Sequence, residues 1–326
     1  MNRLLLNFIV CITFLCMNIQ SFAQNKLTFK EINMSVAIDT NKLYGTLTLP
    51  DTKKACPIVL IIAGSGQTDR DCNQPSMKSN AYKQVAENLA EHGIATLRYD
   101  KRGVGESVFM MSEGDLRFDD FVDDAILWIN LLKADKRFSK LIIAGHSEGS
   151  LIGMIASQKT KVDAYISIAG AGKSIDEILK LQLKTAIPDS AYYIKSCLYL
   201  DTLKSGVQLT NSDPALASLF RESIQPYMIN WMKYDPSVEI KKLNMPILIL
   251  QGENDIQVEV ANALQLAEAN KKAKIKIIKG MNHPLKLAEK DREKNFATYS
   301  DPTLPVVQNL LDEIKVFILE LSGLKN

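Results

Sequence analysis

The 326 residues carry 39 Lys+Arg against 37 Asp+Glu, a formal net charge of +2, and 46% of them are hydrophobic. No basic block or basic–aromatic stripe interrupts this balance, which excludes the electrostatic footprint of a nucleic-acid binder. The length supports one large core more readily than two. The chain opens with Met1-Asn2-Arg3, runs apolar from Leu4 to Ile19, and then reads Gln20-Ser21-Phe22-Ala23-Gln24. One positive residue, a short hydrophobic segment and a small-x-small ending are the pattern of a secretory signal peptide cleaved after Ala23. The alternative is an uncleaved anchor, but the segment is short for a bilayer span. The mature chain, residues 24–326, is therefore expected to be exported to the periplasm or the medium, without stable membrane insertion. Loss of the leader removes one positive charge, Arg3, and leaves 38 basic residues against 37 acidic. Cys56, Cys72 and Cys197 remain, an odd number that allows at most one disulfide and matches no metal-ligand spacing.

Two strands are expected over Leu27–Ala37 and Leu43–Leu49, with a turn at Asp39-Thr40-Asn41. Pro57–Ala63 is a continuous run rich in β-branched residues, as in a strand covered on both faces. Residues 79–92 have helical spacing (Tyr82, Val85, Leu89) and stop at Gly93, a C-terminal capping residue. A strand follows at Ile94–Tyr99, a helix at Phe118–Leu132, a strand at 140–144, a helix at 148–158 and a strand at Ala164–Ile168. This alternation predicts a parallel sheet with helices on both faces. From Gly170 to about Lys242 no strand-like run occurs, only helical segments rich in large apolar side chains. The alternation resumes with a strand at 246–250, a helix over 258–270, a strand at 274–278 and a helix over 305–321. The intervening 70 or so residues are expected to form a helical cap above the sheet's carboxyl edge.

The residues Gly145-His146-Ser147-Glu148-Gly149 read G-x-S-x-G between a predicted strand and a predicted helix. A serine hydroxyl needs a base, and the base needs a carboxylate to fix its tautomer. The chain has three histidines. His92 ends a surface helix. His146 precedes the serine and is expected to point away from it, into the structure. His283, in the turn Lys279–Pro284 after the last predicted strand, remains as the base. For the acid, the loop after the strand at 247–250 offers Asp255, with Glu253 as the second choice. An oxyanion requires two backbone N–H donors. One is expected from Glu148, at a helix N-terminus that favours negative charge; the other comes from Ser65 or Gln67 in the turn Gly64-Ser65-Gly66-Gln67. That turn has no lysine at P-loop spacing, so it is not read as a phosphate loop.

These motifs together resemble the α/β-hydrolase superfamily, near the secreted bacterial serine esterases and the serine aminopeptidase-like branch. The resemblance rests on residues 63–71, on Arg98–Ser107, on the elbow, and on the Asp255 and His283 loops, and it spans residues 27–322. The order Ser147, Asp255, His283 is that of this superfamily. Ala63 stands where a histidine commonly opens the oxyanion loop. Arg70, Asp71, Asp100 and Arg102 are expected to brace two of these loops as ion pairs.

Three functions are compatible. The first is a serine hydrolase cleaving carboxylic esters through an acyl-enzyme, on a small or polymer-borne substrate, with no metal or organic cofactor. The second is a peptidase or aminopeptidase on the same three residues. That activity calls for acids to hold the substrate's amino group, for which the cap offers Asp176, Glu177 and Glu222 without marking them as clustered. The third is an inert binding protein on the same scaffold.

Overall fold

A computed structural model describes residues 26–321 and Gly323; the signal-peptide reading lies outside the described residues. The first part of the chain forms β1 (Phe29–Ile38), β2 (Asn41–Pro50), β3 (Cys56–Ile62), the short hairpin β4 (Asn73–Gln74) and β5 (Met77–Lys78), α1 (Ala81–Glu91) and β6 (Ala95–Tyr99). Next come α2 (Phe118–Ala134), β7 (Phe138–His146), α3 (Glu148–Lys159) and β8 (Ala164–Ile168). Five helices follow without a strand: α4 (Ile175–Ala186), α5 (Ser190–Lys204), α6 (Ala217–Phe220), α7 (Gln225–Trp231) and α8 (Pro236–Lys241). The chain then returns to the sheet with β9 (Ile247–Gly252), α9 (Val260–Ala269), β10 (Lys274–Ile278), α10 (Arg292–Ala297) and α11 (Gln308–Leu321).

The main sheet has eight strands in the order β1-β2-β6-β3-β7-β8-β9-β10. β1 and β2 are antiparallel, β2 meets β6 antiparallel, and the neighbours from β6 to β10 run parallel. All carboxyl ends of the parallel strands therefore share one edge, where a doubly wound sheet presents its ligand-binding loops.

Every residue of β3, β8 and β9 is buried, as their uninterrupted apolar runs require. Because side chains alternate along a strand, Ile58, Leu60 and Ile62 of β3 enter one core with α2 and α3. Val59, Ile61 and Ala63 enter the other, with α1 and α11. Leu200, Phe220, Met228 and Ile240 of the cap belong to the first of these cores. No described helix is long and apolar enough to cross a membrane. Cys56, Cys72 and Cys197 are all free thiols.

Candidate active site

β7 ends at His146 and α3 begins at Glu148, so Ser147 alone makes the turn. Its backbone has φ 55° and ψ −121°, a region that costs a side-chain-bearing residue on the order of 1–3 kcal/mol. Its neighbours make the turn possible. A Cβ on Gly149 would lie 2.2 Å from the Ile62 carbonyl oxygen, and one on Gly145 would lie 2.1 Å from that of Gly149. Only glycine lets α3 descend this close to β3. The Ser147 N–H donates to the Ile168 carbonyl at 2.9 Å, tying the turn to β8.

Asp255 follows β9 and is 6% exposed; His283 follows β10 and is 8% exposed. Asp255 Oδ1 accepts from the N–H groups of Gln257 and Val258 at 2.8 and 2.9 Å. Its Oδ2 accepts from Gln251 Nε2 at 3.1 Å and stands 2.8 Å from His283 Nδ1. Burial alone would raise this carboxyl, but the adjacent imidazole and the two N–H donors hold it below its ordinary range. An ionised carboxylate only accepts, so Nδ1 carries the proton and Nε2 is left with its lone pair. Glu253 instead receives the Gly280 N–H at 3.1 Å, so the structure brings Asp255, not Glu253, to the imidazole. Ser147 and His283 line the same cavity of about 180 Å³. Among the described residues Ser147 Oγ makes no hydrogen bond; contacts of this kind tighten when substrate binds.

In the turn after β3, a Cβ on Gly64 would approach Ser147 Cβ to 3.1 Å. The Gly64 carbonyl accepts from Lys101 Nζ at 2.6 Å and its N–H donates to the Tyr82 hydroxyl at 3.2 Å. The Gly64–Ser65 peptide is thus held on both sides, and Ser65 and Gln67 line a cavity together with Ser147 and Glu148. That cavity measures about 720 Å³ and lies under the cap. Phe121, Leu151, Ile178, Leu219, Met228 and Trp231 form its apolar wall.

The profile of the serine aminopeptidase S33 hydrolases matches residues 76–291, about two thirds of the chain. The chain belongs to that family. Among curated proteins, Esterase EstD of Thermotoga maritima is 27% identical over 255 residues, which cover 74% of this chain and 57% of EstD. The chain thus spans little more than half the length of that relative. A monoglyceride lipase homolog of Monkeypox virus is 24% identical over 234 residues, covering 64% of this chain and 78% of the viral protein. Of solved structures, Est1E from Butyrivibrio proteoclasticus superposes with a TM-score of 0.58 at 19% identity, over 89% of this chain and 99% of Est1E. The proline iminopeptidase of Mycobacterium smegmatis superposes with a TM-score of 0.57 at 12% identity, over 90% and 99% of the two chains. These structures share the α/β-hydrolase fold seen here.

Three features of this S33 hydrolase were not readable in its sequence. First, His146 takes part in a chain of hydrogen bonds. Its Nε2 lies 2.9 Å from the His283 carbonyl oxygen, which can only accept, so Nε2 bears the proton and Nδ1 accepts from the Tyr82 hydroxyl at 2.8 Å. Burial, reinforced by the neighbouring His283, lowers the His146 pKa from 6.5 to about 3. Gly64, Tyr82, His146 and the backbone of His283 therefore form one buried line joining two loops that border Ser147. In sequence, Tyr82 reads only as one apolar position on a helical stripe.

Second, Glu148 is buried, accepts from the Tyr227 hydroxyl of the cap, and has Lys101 Nζ 3.5 Å away. Burial pushes the Glu148 carboxyl up and the Lys101 ammonium down, and each partner partly offsets the other's shift. Third, the four charged residues expected to brace the loops do not pair only with one another. Arg70 and Asp100 do pair, at 2.6 Å. Asp71, however, pairs with Arg98 at 2.7 Å, and Arg102 reaches α2, where Asp124 accepts from its Nε at 2.8 Å. The reason is direction: Arg98 is 2% exposed and already turned toward Thr48 of β2, so Asp71 is its nearest counter-charge.

Proposed function

We propose that this protein is a carboxylic ester hydrolase in which Ser147 is the nucleophile, His283 the general base and acid, and Asp255 the carboxylate that orients it. The observation that carries this reading is the pairing of buried Asp255 with His283 Nδ1 at 2.8 Å, in a loop bordering the same cavity as the strained Ser147. His283 Nε2 takes the serine proton as Oγ attacks the ester carbonyl, and returns it to the departing alcohol oxygen. A water molecule then gives its proton to the same imidazole and attacks the acyl-serine, whose release restores Ser147. The oxyanion of each tetrahedral intermediate is received by the Glu148 N–H and by that of Ser65 or Gln67, each donor worth on the order of a hundredfold in rate. Asp255, held ionised by its surroundings, stabilises the imidazolium throughout.

The family's description makes an aminopeptidase the competing reading. The acids that line the cap cavity are already engaged: Glu148 with Tyr227 and Lys101, and Glu113 with Arg221 at 2.9 Å. Asp176 pairs with Lys204 at 3.0 Å. None of these three is left to receive a substrate ammonium group, which favours an uncharged ester with an apolar acyl group. A fluorophosphonate probe should label the wild type and not Ser147→Ala. p-Nitrophenyl butyrate should be turned over with a higher kcat/KM than aminoacyl-anilides, and a wide margin in favour of the anilides would overturn the ester assignment.

A further inference from the structure

Two cavities meet at Ser147. The one under the cap, about 720 Å³, and the smaller one, about 180 Å³, share only Ser65, Ser147 and Gln257 in their walls. We propose that the smaller cavity is the leaving-group subsite and takes a compact, uncharged, hydroxylated alcohol, while the cap cavity takes the acyl group. The proposal rests on the ester-hydrolase reading and adds to it the chemistry of the two halves of the substrate.

The first argument concerns the proton. When the C–O bond of the tetrahedral intermediate breaks, the electron pair goes to the alcohol oxygen, which must receive the proton that His283 took from Ser147. His283 lines the smaller cavity and not the larger. The departing oxygen, and the group it carries, are therefore on that side. The acyl group must lie elsewhere, because a water molecule has to reach the same imidazole for the second half-reaction. The cap cavity, with the Glu148 and Gln67 backbone in its wall, is the space that remains.

The second argument concerns size. The cap cavity has four times the volume of the smaller one, so a long chain or ring system fits the first and only a compact group the second. The third concerns the wall. Ser79 is 2% exposed and its hydroxyl has no partner among the described residues. The Tyr299 hydroxyl accepts from Gln257 Nε2 at 3.1 Å, so its own proton remains available to a ligand. The Thr68 hydroxyl, by contrast, already donates to the Ser65 carbonyl and accepts from Gln74. No Lys, Arg, Asp or Glu lines this cavity. A wall with hydroxyl groups to satisfy and no charge to neutralise selects a neutral polyol over an apolar chain or an ion, because a buried polar group without a partner is costly.

The test uses two series of esters on the full chain. One holds the acyl group fixed as butyrate and varies the alcohol: methanol, 1-hexanol, glycerol. The other holds methanol fixed and varies the acid: acetate, butyrate, octanoate. The Ser79 N–H is held by Asn73 Oδ1, so Ser79→Ala removes no hydrogen bond seen within the protein. We expect it to lower kcat/KM for glyceryl butyrate relative to methyl butyrate by about tenfold, while the acid series is unchanged. Met77→Trp, at a half-buried position of the same wall, should discriminate against glyceryl and hexyl butyrate and spare methyl butyrate. The deacylation rate constant, set by the acyl-enzyme alone, should be the same in both variants. Responses confined to the acid series, or equal losses across both series, would overturn the subsite assignment. Failure of the wild type to turn over any ester or to react with a fluorophosphonate would instead overturn the ester-hydrolase reading beneath it.

Discussion

At the scale of single residues, the histidine beside the nucleophile has a consequence for pH. Folded, His146 takes up a proton only near pH 3; unfolded, it does so near 6.5. The stability that follows is fully present above pH 6.5 and is lost as pH falls, since acid then favours the unfolded chain. Between pH 7.5 and pH 5 this one ring should cost about 2 kcal/mol of stability. His146→Gln removes the titrating ring while keeping an N–H donor for the His283 carbonyl. Urea denaturation at the two pH values should show a smaller loss for the variant than for the wild type. A variant as acid-sensitive as its parent would remove His146 from this account. The acid loop shows why some of the site could be read from sequence and some could not. Gln251-Gly252-Glu253-Asn254-Asp255 offers two carboxylates two residues apart, and composition does not choose between them. The direction of the backbone does, turning Asp255 onto the N–H groups of Gln257 and Val258 and Glu253 onto Gly280. Lys101 and Glu148 read as ordinary charges in sequence, because nothing local marks a charged residue as buried opposite a tyrosine from a helix some 79 positions away.

At the scale of elements, the fully buried strands β3, β8 and β9 were legible as runs of apolar, mostly β-branched residues, and α1 as a stripe ending at Gly93. The hairpin β4–β5 was not, since strands of two residues are too short to show a period. Nor was α10, whose six residues Arg292–Ala297 include three charged ones. The contact between α3 and β3 is the least tolerant junction in the fold. Gly149→Ala would place a methyl group 2.2 and 2.6 Å from two carbonyl oxygens of the β3 end. Backbone atoms cannot rotate away as a side chain can, so α3 would have to shift. We expect a loss of about 3 kcal/mol or more in chemical denaturation. Activity should fall in the fraction that remains folded, because Ser147 rides on the same turn. A variant with unchanged stability and turnover would show that the elbow has room that the geometry denies it.

At the scale of the whole molecule, the cap is not a separate body resting on the sheet. Leu200, Phe220, Met228 and Ile240 share a continuous apolar cluster with Phe118, Phe121 and Leu151 of α2 and α3. Cap and sheet should therefore lose structure together. Calorimetry and tryptophan fluorescence, which reports Trp231 of the cap and Trp128 of α2, should give coincident melting transitions. An earlier fluorescence transition, preceding the loss of the far-ultraviolet signal, would mean that the cap opens independently.

The backbone of Ser147 makes catalytic competence and thermal endurance opposing demands on one position. Glycine adopts φ 55° without a clash, so Ser147→Gly should release strain that Ser147→Ala, which keeps its Cβ, retains. The glycine variant should be inert, yet melt about 2–4 °C above the active protein. An unimproved melting temperature would indicate that the neighbouring turns, rather than the serine, absorb the distortion.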